Sequence, residues 1–247
     1  MNCLQQLGGM MTEDAVRVGA FTVSMDAAER WIGEYFDEAA NRDTASRRGR
    51  EHSPYAYPVY DRYQAGSGPA ELTDADLLAP LLLNAAPSLK AVFNLQQVRN
   101  RLEEALAAVP TSLSLTDAVA QGVHRDYLGA LFGVLDQQKL HGVRLTTLAK
   151  ILHRKRPALI PLYDSKVKAC YCGRAAKYLV RPVGPSAPDA PFYIEIATCI
   201  ANDLAEHAEQ WARLAARAPA DVSLLRVFDV VAWQHGKLVT QRVPPSR

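Results

Sequence analysis

Apolar residues recur every three or four positions along most of this chain, which is the spacing of helices that bury one face. Ser24 or Asp26 can cap a helix that runs to about Asn41, and Thr73 can cap one that runs to Asn84. Further helices are predicted at 87–109, 114–121, 124–140, 145–153, 165–180, 191–218 and 224–235. No segment predicts strand pairing of consequence, so the sequence indicates a mainly α protein.

The same pattern divides the chain into a short lead-in and one long helical domain. Residues 1–24 have weak periodicity and predict a partly ordered lead-in, whereas residues 25–247 form the helical domain. Polar and basic residues at 42–50 predict a loop, prolines within 181–191 predict another, and the tail from Gly236 is expected to fray. With 49% hydrophobic residues, the chain can bury a sizeable core as one domain or two joined lobes.

The sequence lacks the features that direct a chain into or across a membrane. No run of about eighteen apolar residues is present, so no membrane-spanning helix is predicted. Residues 1–19 lack the basic start and apolar core of a secretory signal. The expected location is therefore the cytoplasm.

Charge is distributed very unevenly along the chain. Between residues 139 and 182 there are eleven lysines and arginines but one acid, Asp164, so this segment carries a charge of +10. Because the whole chain carries +2, the remaining residues sum to −8. Such an unbalanced basic segment is typical of surfaces that bind nucleic-acid phosphates, and we expect the cations to hold Asp164 in its ionised form.

The basic segment contains a turn and a helix that suit phosphate binding. Gly142 lies between two predicted helices and indicates a tight hairpin turn. Thr146 and Thr147 open the helix at 145–153, where the first backbone N–H groups have no partner within the helix. A helix start after a glycine turn can bind one phosphate. Asp164 precedes a further predicted helix, so it is an N-cap, a catalytic carboxylate, or a carboxylate that serves both roles.

These features resemble the helix-hairpin-helix DNA glycosylases. Leu140-His141-Gly142-Val143 matches the hairpin of that family, and Ile160-Pro161-Leu162-Tyr163-Asp164-Ser165-Lys166-Val167 matches the segment that carries its catalytic aspartate. His141 replaces the usual hairpin proline, and Arg144 replaces the second glycine. The resemblance implies a mainly α, two-lobed helical bundle in which residues 139–167 hold the hairpin and the catalytic segment.

The resemblance also implies an activity and a partner. Asp164 would be the catalytic residue that promotes cleavage of the N-glycosidic bond of a base flipped out of double-stranded DNA. The residues implied to bind DNA are Gly142, Val143, Arg144, Thr146, Thr147, Lys150 and Lys166. No cofactor, metal or obligate protein partner is implied, although a monovalent cation can bind at such a hairpin.

The type of reaction and its target follow from the same comparison. Thr146, eighteen residues before Asp164, occupies the position where family members with lyase activity carry a lysine. The resemblance therefore implies a monofunctional enzyme that leaves an abasic site. Its target would be a bulky modified cytosine of phage DNA, excised in defence, or a damaged base, excised in repair. The alternative function is a helix-hairpin-helix module that binds DNA without catalysis.

Two further groups of residues leave alternatives open. The tyrosines within 52–63 either fill the space between helices or form a base pocket, whose predicted members are Tyr55, Tyr57, Tyr60 and Tyr163.

Cys170 and Cys172 lie on one predicted helix with side chains about 200° apart, which disfavours a shared metal ion. Buried thiols are expected, and a zinc site that includes Cys199, or a redox role, is the alternative.

Overall fold

Helices account for nearly all the regular structure of the described residues. The computed structural model describes residues 14–47, 58–137, 140–177, 179–181 and 188–242. Its α-helices are α1 (Met25–Phe36), α2 (Glu38–Arg47), α3 (Pro58–Arg62), α4 (Asp74–Leu78), α5 (Leu89–Ala108), α6 (Leu115–Ala120), α7 (His124–Phe132), α8 (Val134–Gln137), α9 (Leu145–His153), α10 (Ser165–Tyr171), α11 (Asp189–Glu206), α12 (Ala208–Ala215) and α13 (Leu224–Arg242). Short 3₁₀ helices lie at Ala79–Leu83 and Arg174–Ala176. The predicted mainly α class is confirmed, and none of these helices has the length and apolar character needed to span a membrane.

A small β-hairpin precedes the first helix, within the segment predicted as a partly ordered lead-in, and it is the one sheet of the described residues. Strand β1 (Ala15–Val18) pairs antiparallel with β2 (Phe21–Ser24). The turn between them requires Gly19, whose φ is +62° and whose added Cβ would lie 2.3 Å from the carbonyl oxygen of Cys170. Strands of four residues are too short to produce a distinct alternating pattern, which explains why the sequence did not reveal them.

Single-residue breaks divide three segments that the sequence predicts as continuous helices. Asp37 separates α1 from α2, and its side chain accepts a hydrogen bond from the Ala40 N–H at 3.0 Å, which starts the second helix. His207, with φ −122° and ψ 39°, separates α11 from α12, and Gly133 separates α7 from α8. Apolar spacing continues across a break of one residue, so periodicity alone does not detect it.

Several predicted helix ends are also wrong. Residues 42–47 belong to α2 and not to a loop, and the segment 74–84 is divided between α4 and a 3₁₀ helix. The helix after Asp164 ends at Tyr171, and the last helix continues past Gly236 to Arg242. By contrast, α9 has its predicted bounds, and Ser24 and Thr73 cap α1 and α4 as predicted.

Helix α9 lies within the hydrophobic core, and α10 packs along α13. Leu148, Ile151 and Leu152 of α9 are each 0% exposed. The approach of α13 to α10 is close because Gly236 has no side chain: an added Cβ would lie 2.3 Å from the carbonyl oxygen of Lys166. This packing fixes the start of α10, where Asp164 lies, against one face of α13.

Candidate functional site

A cavity of about 380 Å³ opens beside the starts of α9 and α10 and one face of α13. This volume lies within the roughly 300–1,000 Å³ typical of ligand pockets. Four residues implied by the resemblance line it together: Thr146, Lys150, Asp164 and Lys166. Its other lining residues are Tyr35, Leu83, Asn84, Ala85, Leu162, Ser165, Arg226, Asp229, Val230 and Trp233. The helix after the hairpin and the aspartate segment therefore meet at one cavity.

Asp164 is the N-cap of α10, which is one of the roles that the sequence predicts for it. Its Oδ1 accepts hydrogen bonds from the N–H groups of Lys166 at 2.7 Å and Val167 at 3.0 Å. Among the described residues, no group donates a hydrogen bond to Oδ2. The cap thus fixes the direction of the carboxylate through one oxygen and leaves the second oxygen available to a molecule in the cavity.

Lys150 lies inside the cavity, with 6% of its surface exposed, and not on the outer surface predicted for phosphate contact. Its Nζ donates a hydrogen bond to the carbonyl oxygen of Leu83 at 3.2 Å. Burial lowers the pKa of Lys150, and the charges of Asp164 and Asp229 oppose that shift. Thr146 occupies the position of the lyase lysine in the resembled family, but Lys150, four residues later, brings an amine to the same cavity.

A buried arginine organises the α13 side of the cavity. Arg226 donates from Nε to Asp61 Oδ1 at 2.8 Å, from Nη1 to Asp229 Oδ2, and from Nη2 to the hydroxyl of Tyr35. Burial raises the pKa of Asp229 to about 6; the charge of Arg226 lowers it, and the charge of Asp164 raises it. The cavity therefore contains two carboxylic acids in different environments.

The hairpin turn predicted at Gly142 is present. Gly142 has φ +84°, and an added Cβ would lie 3.0 Å from Ser88 Oγ at the start of α5. The Val143 N–H donates to the carbonyl oxygen of Leu140 at 3.0 Å, which closes the turn. Asn94 of α5 donates from Nδ2 to the carbonyl oxygen of His141 at 2.7 Å. The turn is thus held against α5.

The remaining residues implied to bind DNA differ in accessibility. Gly142 and Arg144 are exposed, whereas Val143 and Thr147 are buried at 9% exposure each. Lys166 is partly buried, and its Nζ donates to Thr240 Oγ1 at 2.9 Å. Of these residues, Gly142 and Arg144 are therefore the two that the hairpin exposes at the surface.

Three consecutive cations of the basic segment point into the protein, which corrects the interpretation of the whole segment as a phosphate-binding surface. Arg154 donates to backbone carbonyl oxygens of Tyr60 and Tyr63. Lys155 forms an ion pair with Asp76 Oδ1 at 3.0 Å. Arg156, 2% exposed, donates to carbonyl oxygens in 69–109. Lys139 lies outside the described residues, and the exposed cations of the segment are Arg144, Lys168, Arg174, Lys177 and Arg181.

Two of the four tyrosines predicted to form a base pocket, Tyr60 and Tyr163, do not line this cavity. Tyr60 is 1% exposed, and its hydroxyl donates to the carbonyl oxygen of Lys150. Tyr163 is 6% exposed and packs edge-on against Phe192. Both rings are used in packing, so these two tyrosines match the alternative prediction, in which the rings fill the space between helices. Tyr55 and Tyr57 lie outside the described residues.

Sequence reasoning missed the α13 face of the cavity and its aromatic residues, Tyr35 and Trp233. Arg226, Asp229 and Trp233 recur at three- and four-residue spacing within an otherwise apolar helix. Opposite charges three positions apart inside an apolar run are a usable signal, because buried charges are rare unless they are paired. The signal shows a buried ion pair, but it does not identify the cavity that the pair faces.

Of the three described cysteines, two are buried thiols, as the sequence predicts. Cys170 and Cys172 are buried, and burial raises the pKa of each thiol to about 12. Cys199 is half-buried, and burial raises its pKa to about 11. Within the described ranges, no three side chains of the types His, Cys, Asp and Glu are grouped so that they could hold a metal ion.

Comparison with known proteins identifies the family of this chain but not its activity. Residues 28–236 match a family described as "Family of unknown function (DUF6308)", and the chain belongs to that family. No curated protein and no solved structure is significantly similar to it.

Proposed function

We propose that this protein is a monofunctional DNA glycosylase of the helix-hairpin-helix type, which takes a flipped-out base into the cavity and hydrolyses its N-glycosidic bond. The observation that supports this most strongly is the placement of Asp164. Its carboxylate is fixed by two backbone N–H groups, and no described residue donates to its Oδ2, in a cavity that also adjoins the helix after the Gly142 turn. Such a fixed carboxylate is suited to a reaction that develops positive charge on a bound sugar.

The proposed chemistry follows from that charge. As the bond between C1′ and the base nitrogen breaks, the deoxyribose becomes positively charged, and Asp164 stabilises this state more than the uncharged ground state. The same carboxylate orients the water that attacks C1′. Lys150 is fixed by its bond to Leu83, so we assign the attack to water and not to the lysine amine. The product is then an abasic site in an uncut strand.

The proposed DNA contact uses the exposed part of the hairpin. The backbone of the turn and Arg144 would hold phosphates of one strand without reading sequence. The exposed cations that follow Asp164 in sequence, beginning with Lys168, extend the positive charge. We propose that the two lobes of the implied bundle meet at the cavity, and that the target is a bulky modified cytosine of phage DNA or a damaged base.

The experiment is a panel of duplexes that carry single altered bases, including uracil, an alkylated adenine and bulky modified cytosines. Alkali after incubation cleaves the strand wherever a base has been removed. We expect strand cleavage only after alkali, because a monofunctional enzyme leaves the backbone intact. Cleavage without alkali would contradict the monofunctional assignment and make Lys150, which lines the cavity, the candidate nucleophile. No cleavage of any duplex would contradict the glycosylase proposal.

The matched variant is Asp164→Asn, because asparagine is as good an N-cap as aspartate. We expect base release to fall by about a hundredfold or more while duplex affinity at fixed salt is retained.

The alternative function is a module that binds DNA without catalysis. Two observations support it: the hairpin turn is exposed, and Asp164 has a capping role. It predicts that the unaltered protein and Asp164→Asn bind equally and that neither releases a base.

A further inference from the structure

A second acid in the cavity has no role in the proposed reaction. Asp229 lies on α13, lines the cavity and retains 11% exposure of its side chain. The described residues provide one ion-pair partner, Arg226, which binds its Oδ2. Arg226 also binds Asp61 and Tyr35, so its charge is shared by two carboxylates. Asp229 is therefore a buried acid that is only partly neutralised and is accessible to a ligand.

We infer that Asp229 is the general acid that protonates the departing base, and that the substrate is a base that leaves efficiently only when it is protonated. This inference rests on the proposed glycosylase function and adds a second catalytic residue and a substrate class to it. Two carboxyl groups at one site, one ionised and one protonated, are the arrangement that most glycoside hydrolases use, and we extend it here to an N-glycosidic bond.

The environments of the two acids support different roles. Asp164 is half-buried and accepts two backbone hydrogen bonds through Oδ1, which fixes the direction of its carboxylate. Asp229 is 8% exposed, and its burial favours the protonated form. The titratable and charged groups around Asp229 are Arg226 on its own helix, Tyr60 and Asp61 in α3, Lys150 in α9, Tyr35 in α1 and Asp164 before α10.

These groups act in opposite directions on Asp229. Burial has the largest effect and raises its pKa to about 6; the charge of Arg226 lowers it, that of Asp164 raises it and that of Lys150 lowers it. A proton donor with this pKa is protonated below about pH 6 and loses its proton as the pH rises. Base release should therefore decline above pH 6.

The step is balanced in protons and electrons. The bond between C1′ and the base nitrogen breaks, and its electron pair goes to the base. Asp229 transfers its proton to the base, which leaves as a neutral molecule. Water forms the new bond to C1′ and gives its proton to Asp164. Solvent then returns a proton to Asp229 and removes one from Asp164, so the net reaction is hydrolysis.

The substrate class follows from this balance. A base that already carries a positive charge, such as 7-methylguanine, leaves as a neutral molecule without receiving a proton. An uncharged cytosine or adenine derivative must receive one, because otherwise it would leave as an anion. A protonated acid in the cavity therefore favours uncharged bases as substrates.

The test measures single-turnover base release by the unaltered protein and by Asp229→Asn, between pH 5 and pH 8. The two substrates are a duplex with an uncharged altered base and a duplex with 7-methylguanine. We expect Asp229→Asn to slow release of the uncharged base by about a hundredfold or more and to leave release of 7-methylguanine within a few fold. We also expect the unaltered protein to lose rate about tenfold per pH unit above its transition near pH 6, and the variant to lack that transition.

Asp61→Asn is the matched control, because Asp61 binds the same arginine but does not line the cavity. It should retain the rate at a pH below the transition, and the transition should move to lower pH, because the charge of Asp61 raises the pKa of Asp229. An equal loss in Asp61→Asn, an equal loss on both substrates, or a rate within threefold in Asp229→Asn would overturn the inference. If Asp229→Asn does not fold, a flat pH profile of the unaltered protein above pH 6 overturns it. Failure of the unaltered protein to release any base would refute the glycosylase proposal as well, so the two failures are distinguishable.

Discussion

Asp76 and Asp229 are both buried acids paired with a basic residue, yet their surroundings differ. Asp76 is 0% exposed, and its Oδ2 accepts hydrogen bonds from Ser67 Oγ at 2.6 Å and the Thr73 N–H at 2.9 Å. Its Oδ1 forms the ion pair with Lys155. Both oxygens of Asp76 are thus occupied, whereas Asp229 shares its arginine with Asp61 and lines a cavity.

The two acids titrate in opposite directions as a result. Burial alone would raise the pKa of Asp76, but the hydrogen bonds from Ser67 and Thr73 and the pairing with Lys155 outweigh it, so the pKa is lowered. At Asp229 burial outweighs Arg226, and the pKa is raised. A buried acid surrounded by donors serves the fold, whereas a buried acid with too few donors is a candidate for chemistry.

The largest effect is expected when the fully paired acid is removed. Asp76→Ala leaves Lys155 buried without its partner and removes the capping box at the start of α4. We expect the free energy of unfolding, measured in urea, to fall by about 3–5 kcal/mol. Base release per folded molecule should not change, because Asp76 does not line the cavity.

Asp74→Ala is the control for this prediction. Asp74 lies two positions earlier on the same helix, and it pairs with Arg99 at the surface. Because water screens an exposed pair, its loss should cost only a small fraction of the Asp76 effect. Equal losses in the two variants would show that the inward pairing of Lys155 does not stabilise the fold, and the contrast with Asp229 would fail.

A fall in pH should change the free energy of unfolding in opposite directions through Asp229 and through Asp76. The folded protein protonates Asp229 near pH 6, whereas the unfolded chain does so near the ordinary value of about 4. Asp229 therefore destabilises the fold above pH 6, and stability is recovered as the pH falls from 6 to 4. We expect the stability difference between the unaltered protein and Asp229→Asn to change by about 2 kcal/mol between pH 7.5 and pH 4.5.

Urea unfolding of both proteins at the two pH values measures this change. The unaltered protein should gain stability relative to the variant at the lower pH. Asp76 acts with the opposite sign, because its lowered pKa gives stability that is present above about pH 4 and lost as the pH falls through the folded pKa. A stability difference that does not vary with pH would show that Asp229 is ionised throughout, contrary to its proposed role as an acid.

The contrast also explains which parts of the site could be predicted from sequence. Local features were predictable: α9 has its predicted bounds because its apolar spacing is flanked by Gly142 and Pro157, and Asp164 caps α10 because it directly precedes that helix. These outcomes depend on residues within a few positions of one another, which the sequence places together.

Contacts between distant segments were not predictable in the same way. The run Arg154-Lys155-Arg156 has the composition of a phosphate-binding surface, but carbonyl oxygens and Asp76 from earlier segments draw all three side chains inward. Asp229 reaches the cavity only because α13 packs along α10. Neither outcome follows from charge counts, because the direction of a charged side chain depends on which acceptors the fold places beside it.

The smallest effect tests the packing that places Asp229 beside Asp164. In Gly236→Ala the new Cβ would lie 2.3 Å from the Lys166 carbonyl oxygen, so α13 and α10 must move apart. We expect a loss of about 1–3 kcal/mol in the urea unfolding free energy and a fall of about tenfold or more in base release, because the two acids lose their relative placement. Gly33→Ala is the control: the new Cβ meets no atom within 4 Å inside α1, and the change should stabilise the fold by roughly 0.4–1 kcal/mol. Suppose that Gly236→Ala behaved like this control in both measurements. The close contact between α10 and α13 would then not be the reason that Asp164 and Asp229 lie at one cavity.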